Sequence, residues 1–435
     1  MPIVTIILPS LNVADYIERC VNSVRDQTLH DIEIICVDAG SVDGTYELLK
    51  EFAEKDSRIK IVQSDVKSYG AQVNLGIRMA TGKYIGIVET DDYILPKMYQ
   101  ILVEASERYD CDFVKGEYQS FYKDSNGKEV IQNHKVFSEE SDYNRIIKPV
   151  EVIESAVGDW RIWSGIYKKS FLLENNIILS ETKGAAYQDI GFIGKTAIFA
   201  NKACFCAEPF YRYCLDREDS SSNSGRGLSF SYYEFKELIH FLKTNKKWTI
   251  ETRMYVYAKM AKSFVLCYGD FSDDSDSPWP IEAGLKYYDW FRTELCTAIE
   301  NGELNEKTVP EYLWRKLNLY LSSSDEYLQT RDVKDKKLRS FIGDPEGVKI
   351  IIFGCGNWGI TAYYRLLELG YEIYAFIDNN KDLWLKEIEG VRILSPDELP
   401  LDNNRILIAN EEHCFDIYDQ LIKIGIDKTD IFFFR

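Results

Sequence analysis

Short apolar runs alternate with segments of helical periodicity from Ile3 to Asp92. Ile3 to Leu8 is a β-branched apolar run that stops at Pro9-Ser10-Leu11-Asn12. From Ala14 to Gln27 apolar residues recur at Tyr16, Ile17, Cys20, Val21 and Val24, which is one face of a helix. Asp31 to Val37 predicts a second buried strand, Asp38 to Thr45 a polar, glycine-bearing loop, and Tyr46 to Lys55 a second helix. Ile59 to Gln63, Gly70 to Ala80 and Tyr84 to Val88 add a strand, a helix and a strand. Strands alternating with helices predict a parallel sheet with right-handed crossovers, so the loops after the first, second and fourth strands share one sheet edge. The fourth strand runs straight into Glu89-Thr90-Asp91-Asp92. A buried strand that ends this way delivers oxygen ligands to a hard cation, or else forms a turn with solvated acids.

The pattern changes further on. Phe210 to Tyr213 reads as a closing strand and Arg217 to Gly227 as a polar loop, with Ser220 to Ser224 as a candidate lid. From Leu228 to about Leu338 apolar residues recur at helical spacing, as in Tyr232, Phe235, Leu238, Ile239 and Leu242, then Tyr255, Met260, Phe264 and Val265. An acidic, proline-ended loop from Gly269 to Pro280 interrupts them. These aromatic residues pack the helices, or else form an acceptor wall or a dimer surface. Lys334, Lys336, Lys337 and Arg339 make a short basic, solvated face. Beyond Gly343 to Gly347, a strand at Val348 to Phe353 meets Gly354-Cys355-Gly356-Asn357-Trp358-Gly359, then a helix to Leu369 and a strand from Glu372 to Ile377 that ends at Asp378. That acid stands roughly twenty positions after the first glycine, where a Rossmann unit places its ribose-binding carboxylate. Strands at Arg405 to Ala409 and Asp430 to Phe434 complete the tail. The expected organisation is an α/β domain at 1–227, a helical region at 228–342 and a small Rossmann-like α/β domain at 346–435.

Composition narrows the function. The 435 residues carry a formal net charge of −18, which excludes a general nucleic-acid binder because phosphate backbones need a basic face. An anionic substrate then needs a metal or a local basic pocket. The ten cysteines are scattered, with only Cys204 and Cys206 close together, in neither a zinc spacing nor a disulfide framework, so they are expected as reduced thiols in a cytosol. The start of the chain has no leader pattern and no apolar run approaches a bilayer span, which predicts a soluble chain, or at most one peripheral to the membrane.

Several segments together resemble one family: Ile6 to Asn12, Ser23-Val24 with Gln27-Thr28, Val37-Asp38-Ala39-Gly40-Ser41-Val42-Asp43-Gly44-Thr45, Asn74-Leu75-Gly76, and Gly82-Lys83-Tyr84 leading into Glu89-Thr90-Asp91-Asp92. In that order and spacing they are similar to the family 2 inverting glycosyltransferases of the GT-A fold, over roughly the first half of the chain. The resemblance implies a nucleotide-sugar donor, expected to be a UDP-sugar, and Mn²⁺ or Mg²⁺ at a D-x-D-like group formed by Asp91 and Asp92 with Glu89. It implies transfer with inversion to a hydroxyl of a glycan or lipid-linked acceptor, in polysaccharide or cell-surface glycan synthesis at the inner face of the membrane. Pro9, Ser10, Leu11, Asn12 and Asp38 are then expected around the base and ribose, and Ser68 and Asn74 near the ribose and sugar phosphates. Arg212 and Arg217 are expected near the diphosphate or as packing residues, and a homo-oligomer is an open expectation.

Attack on an anomeric carbon also needs a base for the acceptor proton. In the family this acid commonly sits in a Glu-Asp pair roughly a hundred residues after the D-x-D. Here Tyr187-Gln188-Asp189-Ile190 matches it, with Gln188 in place of the glutamate, and Asp189 is the expected base or else a first-turn helix acid. The upstream segment Asp159 to Lys168 resembles the one that precedes the acceptor site, which makes Trp163 a sugar-stacking or a core residue. Ala39, Glu89 and Gln188 depart from the family pattern and keep a second class open: a nucleotide-binding or scaffolding protein of the same fold that has lost turnover.

Overall fold

The computed structural model describes residues 2–123, 129–185, 187–215, 227–273, 281–321, 335–343, 347–388, 390–400, 403–410 and 414–434. The chain divides into two compact units, Met1–Phe264 with Leu285–Arg315 and Val265–Gly284 with Lys316–Arg435.

The first unit begins with the predicted alternation: β1 (Val4–Ser10), α1 (Ala14–Arg25), β2 (Ile32–Asp38), α2 (Thr45–Lys55), β3 (Ile59–Gln63), α3 (Tyr69–Met79) and β4 (Tyr84–Ile87). These strands pair in parallel in the order β3-β2-β1-β4. Every residue of β1, β2 and β4 is buried, as continuous apolar runs in a sheet covered on both faces require. Helix α3 lies against β1 because Gly76 has no side chain; a Cβ there would stand 2.6 Å from Ile7.

The sheet then turns mixed. After β5 (Tyr93–Ile94) and α4 (Met98–Tyr109) come β6 (Phe113–Lys123), β7 (Glu129–His134), α5 (Ile153–Gly158), β8 (Gly165–Lys168), α6 (Lys169–Glu174), α7 (Gln188–Phe199) and β9 (Ala203–Cys214). Strand β8 is antiparallel to both β4 and β6, β9 is parallel to β6, and β5 is antiparallel to β9. The parallel expectation therefore holds for the first four strands only. Strand β6 escapes a hydrophobicity reading because its buried positions include Lys115 and Glu117. Helices α8 (Gly227–Thr244), α9 (Ile250–Asp273), α10 (Ile281–Glu300) and α11 (Glu311–Leu321) follow. Their aromatic residues pack one another: the Phe291 ring meets Phe235 at 6.0 Å and Phe264 at 5.7 Å between centroids.

In the second unit β10 (Lys349–Phe353), the helix Asn357–Glu368, β11 (Ala375–Ile377), β12 (Glu387–Ile388), β13 (Val391–Leu394), β14 (Asn404–Ile408), the helix Cys414–Lys423 and β15 (Ile431–Phe433) form a sheet in the order β12-β13-β11-β10-β14-β15. All neighbours are parallel except β12 with β13. Ile350 and Ile352 face one core and Ile351 and Phe353 the other. Gly354 has φ +118°, and a Cβ on Gly359 would collide with the Gly354 carbonyl. Both carboxylate oxygens of Asp378 are engaged, one by the Cys355 amide at 2.9 Å and the other by the Asn380 amide at 2.8 Å. All ten cysteines are free thiols. Among the described residues no helix is long and apolar enough to cross a membrane.

Candidate active site

The loops after β1, β2 and β4 meet at one edge of the first sheet, and side chains lock them together. Asn12, at φ 52°, accepts the Val42 amide through Oδ1 at 2.9 Å and gives its own amide to Ser41 Oγ at 3.0 Å. Helix α1 has no cap of its own: its leading amides, on Val13 and Ala14, are satisfied by Thr45 Oγ1 at 2.8 Å and Asp43 Oδ2 at 2.9 Å. The Asp43-Gly44-Thr45 triplet thus caps a neighbouring helix across the edge, with Gly44 at φ +99°. Beneath these loops the buried Gln72 amide donates to the carbonyls of Ser10 at 2.8 Å and Val37 at 2.7 Å. It ties the ends of β1 and β2 together, the Ser10 carbonyl accepting the Ala39 amide as well at 3.0 Å.

Asp38 points into this pocket. Its Oδ2 accepts the amides of Gly40 at 2.9 Å and Ser41 at 3.1 Å, while Oδ1 is buried without a hydrogen-bond partner. A buried carboxylate oxygen without a donor is costly and marks a place that a ligand's N–H or O–H would satisfy. Pro9 and Ser10 are buried, Leu11 is half-buried and Asn12 is exposed around it.

The three acids after β4 come together: carboxylate oxygens of Glu89, Asp91 and Asp92 lie within 4.8 Å of one another. Their environments differ. Asp92 is fully buried and accepts Tyr211 Oη at 2.8 Å and the Cys214 amide at 2.7 Å, whereas Glu89 and Asp91 are half-buried. The Tyr211 hydroxyl also accepts the Glu89 amide at 3.0 Å. Thr90 ties the turn to the Pro9 carbonyl at 2.9 Å, and Arg19 holds the Asp91 carbonyl at 2.8 Å. Burial, then Asp91 and Glu89, push the Asp92 carboxyl well above the usual range. A hard divalent cation relieves that repulsion, so this donor set fits Mn²⁺ or Mg²⁺.

The second half of the site is the segment before α7. Residues Lys67 to Asn74 clamp it: the Tyr69 amide donates to the Gly184 carbonyl at 3.0 Å and the Gly184 amide to Lys67 at 2.9 Å. The Asn74 side chain both donates to and accepts from the Leu179 backbone, at 2.9 and 3.0 Å. A Cβ on Gly70 would lie 2.0 Å from the Ser180 carbonyl. Ser68 caps α3 by accepting the Ala71 amide at 3.2 Å. Sequence-predicted Ser68 and Asn74 are thus engaged in holding the Leu179 to Gln188 segment against α3. Gln188 donates to Thr182 Oγ1 at 2.9 Å and the Gly184 carbonyl at 3.2 Å; the carbonyl only accepts, which an ionised glutamate could not serve.

Asp189 opens α7 half-buried, with Oδ1 on the Ile190 amide at 2.9 Å. Burial raises its carboxyl to about 6, against the pull of Lys259 and of that amide. Tyr69 lies between the two acidic groups: burial, Glu89 and Asp189 all push its hydroxyl upward. Trp163 is 7% exposed and stacks on Tyr211 at 4.0 Å and Tyr213 at 5.5 Å, so in this conformation it packs under the acidic turn. Arg212 pairs in register with Tyr93 and has a buried Nη1 without a partner. Arg217, Ser220 to Ser224 and Lys334 lie outside the described residues.

Gln72, Tyr69 and Tyr211 did not stand out in the sequence. The available signal was a polar or hydroxyl-bearing residue at a position whose helix or strand neighbours are all buried.

Residues 5–170 match the family described as Glycosyl transferase family 2, and residues 346–432 match the one described as C2185-like, N-terminal. The uncharacterized glycosyltransferase EpsJ of Bacillus subtilis is 32% identical over 187 residues, which cover 42% of this chain and 52% of that protein. This chain therefore spans about half the length of that relative. The glycosyltransferase GlyG of Streptococcus pneumoniae is 28% identical over 217 residues, 48% of this chain and 70% of that protein. Among solved structures, S. aureus TarS 1–349 in complex with UDP-GlcNAc superposes with a TM-score of 0.56 at 16% identity, covering 75% of this chain and 92% of that one. At that identity the likeness establishes a common fold.

Proposed function

We propose, from the match of residues 5–170 to Glycosyl transferase family 2 and the GT-A fold shared with TarS, that this chain transfers a sugar from a UDP-sugar to an acceptor hydroxyl with inversion, Asp189 serving as base. One observation carries this reading: a single sheet edge gathers the donor-seeking Asp38 Oδ1, the Glu89, Asp91 and Asp92 carboxylates, and an aspartate whose carboxyl titrates at about 6. The TarS structure was solved with UDP-GlcNAc, which makes that nucleotide sugar the first donor to test.

Asp38 receives the base or ribose, framed by Pro9, Ser10, Leu11 and Asn12. Glu89 and Asp91 would hold Mn²⁺ or Mg²⁺ through their carboxylates, and the bound cation would neutralise charge on the departing diphosphate. Asp92, anchored by Tyr211 and Cys214, sets the turn that aims them. Asp189 takes the proton of the acceptor hydroxyl as its oxygen bonds the anomeric carbon and the bond to the diphosphate breaks, the electron pair leaving with the phosphate. A carboxyl near 6 is ionised at neutral pH yet basic enough to draw the proton in the transition state. Ser68, Asn74 and Gln188 hold the base segment against the donor side. The acceptor is proposed as a glycan or lipid-linked saccharide met at the cytoplasmic membrane face. The division into 1–227, 228–342 and 346–435 is proposed as the functional one.

Calorimetry with UDP tests the reading: binding in Mn²⁺ that disappears in chelator and in the Asp91→Asn, Asp92→Asn double variant is expected. Binding indifferent to both would overturn the metal assignment.

A further inference from the structure

Beneath the base lies a buried charge cluster that the reaction as described does not use. Lys115 on β6 is fully buried and donates to Asp159 Oδ2 and the Arg161 carbonyl, each at 2.6 Å. Arg161 pairs with Glu117 at 3.1 Å. Lys259 on α9, also fully buried, donates to the Asp159 carbonyl at 2.7 Å and stands 3.8 Å over the Trp160 ring. Three cations, Lys115, Arg161 and Lys259, thus face two directly paired carboxylates, Glu117 and Asp159. A buried surplus charge of this kind requires a counter-charge, and the bond Lys259 makes is to a carbonyl.

We propose that Lys259 is a positioning residue for the transfer reaction: its buried ammonium, pinned by the Asp159 carbonyl and the Trp160 ring, is the fixed counter-charge of Asp189. The geometry runs through three helices. One turn after Lys259, Ser263 donates to Ser231 of α8 at 2.9 Å. Next along α8, Glu234 accepts Ser180 Oγ at 3.0 Å and stands 2.8 Å from where a Cβ on Gly191 would lie, two residues past Asp189. Helix α8 thus bridges the face of α9 that carries Lys259 to the start of α7. Electrostatics agree: Lys259 is the strongest cation acting on Asp189, with Lys115 second, and Asp189 follows Asp159 among the anions acting on Lys259. Burial draws Lys259 down to about 7 and Lys115 to about 8. The other titratable groups facing Asp189 are Tyr69 on α3, Tyr167 on β8 and Glu234 on α8, the last raised to about 7 by burial. Of all these, only the lysines favour the ionised base.

This proposal rests on Asp189 being the base, and its test separates the two. The full chain is labelled with ¹³C at aspartate carboxyls, the Asp189 signal being identified by its loss in Asp189→Asn, and titrated with UDP and Mn²⁺ binding followed in parallel. In Lys259→Met the Asp189 midpoint is expected to rise by roughly one pH unit, with UDP binding kept, and Lys259→Arg should restore it. A merely structural lysine would not move that midpoint selectively, so an unmoved midpoint in folded Lys259→Met overturns the proposal. Should Lys259→Met not fold, Asp189→Asn is read instead at ¹³Cε of Lys259: its midpoint should fall below about 7, and an unmoved value overturns the pairing. Transfer retained by Asp189→Asn would overturn the base assignment alone.

Discussion

Asp189→Asn separates chemistry from folding because the two should move in opposite directions. Asparagine keeps the shape and an oxygen for the Ile190 amide but cannot take a proton, so turnover should fall by roughly 10² to 10⁴-fold with donor affinity little changed. Stability should rise. Burial lifts the carboxyl from the ordinary 3.8 to about 6, so the folded state binds the proton more tightly than the unfolded chain, and stability is lost as pH climbs between those values. The ionised aspartate then costs about 2 to 3 kcal/mol at pH 8 and roughly half of that at pH 5. Removing it should stabilise the protein by that margin at pH 8 and by less at pH 5, apart from what Lys259 and Lys115 give back when their counter-charge goes. Urea unfolding of both proteins at the two pH values, beside UDP release from a UDP-sugar in the presence of acceptor, measures both effects. A variant less stable than the parent at pH 8, or equally shifted at both pH values, would falsify the buried-base account; near-parental turnover would remove Asp189 from the chemistry.

The acidic turn should split by residue: Asp91→Asn is expected to lose Mn²⁺-dependent UDP binding while melting within a degree or two of the parent, whereas Tyr211→Phe, which leaves a buried Asp92 oxygen without its donor, should cost about 1 to 3 kcal/mol in urea unfolding. The reverse ranking would contradict the division into ligand and anchor. Gln72→Leu, which removes one donor from each of the carbonyls of Ser10 and Val37 and leaves Ser10 with the Ala39 amide, should cost about 1 to 3 kcal/mol and weaken UDP binding at least tenfold; calorimetry showing intact affinity would mean those loop ends hold themselves. A chain cut after residue 340 should still bind UDP as the full chain does, although the cut takes Leu338 from the core it shares with Ile350 and Leu366 and Asp335 from Arg365; loss of UDP binding by that fragment would refute the proposed division.

The pH dependence of transfer follows from the same carboxyl. The rate with saturating substrates should climb as pH rises through about 6 and level off above it, because only the ionised base accepts the proton. A profile flat from pH 5 to 8 would show that another group limits the reaction.

The first four strands, their helices and the acids after β4 were legible in the chain because local periodicity suffices where each strand is mostly apolar and each helix has one apolar face. The glycine-rich strand–turn–helix of the second unit was legible for the same reason. What the sequence could not reveal depends on partners far along the chain. Asp91 and Asp92 are adjacent and chemically alike, yet Tyr211 and the Cys214 amide, arriving on β9, bury one of them and leave its neighbour at the pocket. Asn74 is expected near the ribose and sugar phosphates, and only the tertiary structure shows that the Leu179 backbone engages both ends of its amide. Gln188 read as a loss from the family pattern, but the acceptors around it call for a donor. Lys259 was hidden in an apolar helical repeat, and only the tertiary structure, through the bond to the Asp159 carbonyl, fixes where its charge stands. Periodicity records which face of an element is buried; what a buried polar atom meets there is set by tertiary contacts, because hydrogen bonds and ion pairs are directional and short, and the partners of Asn74, Asp92 and Lys259 lie about a hundred residues away.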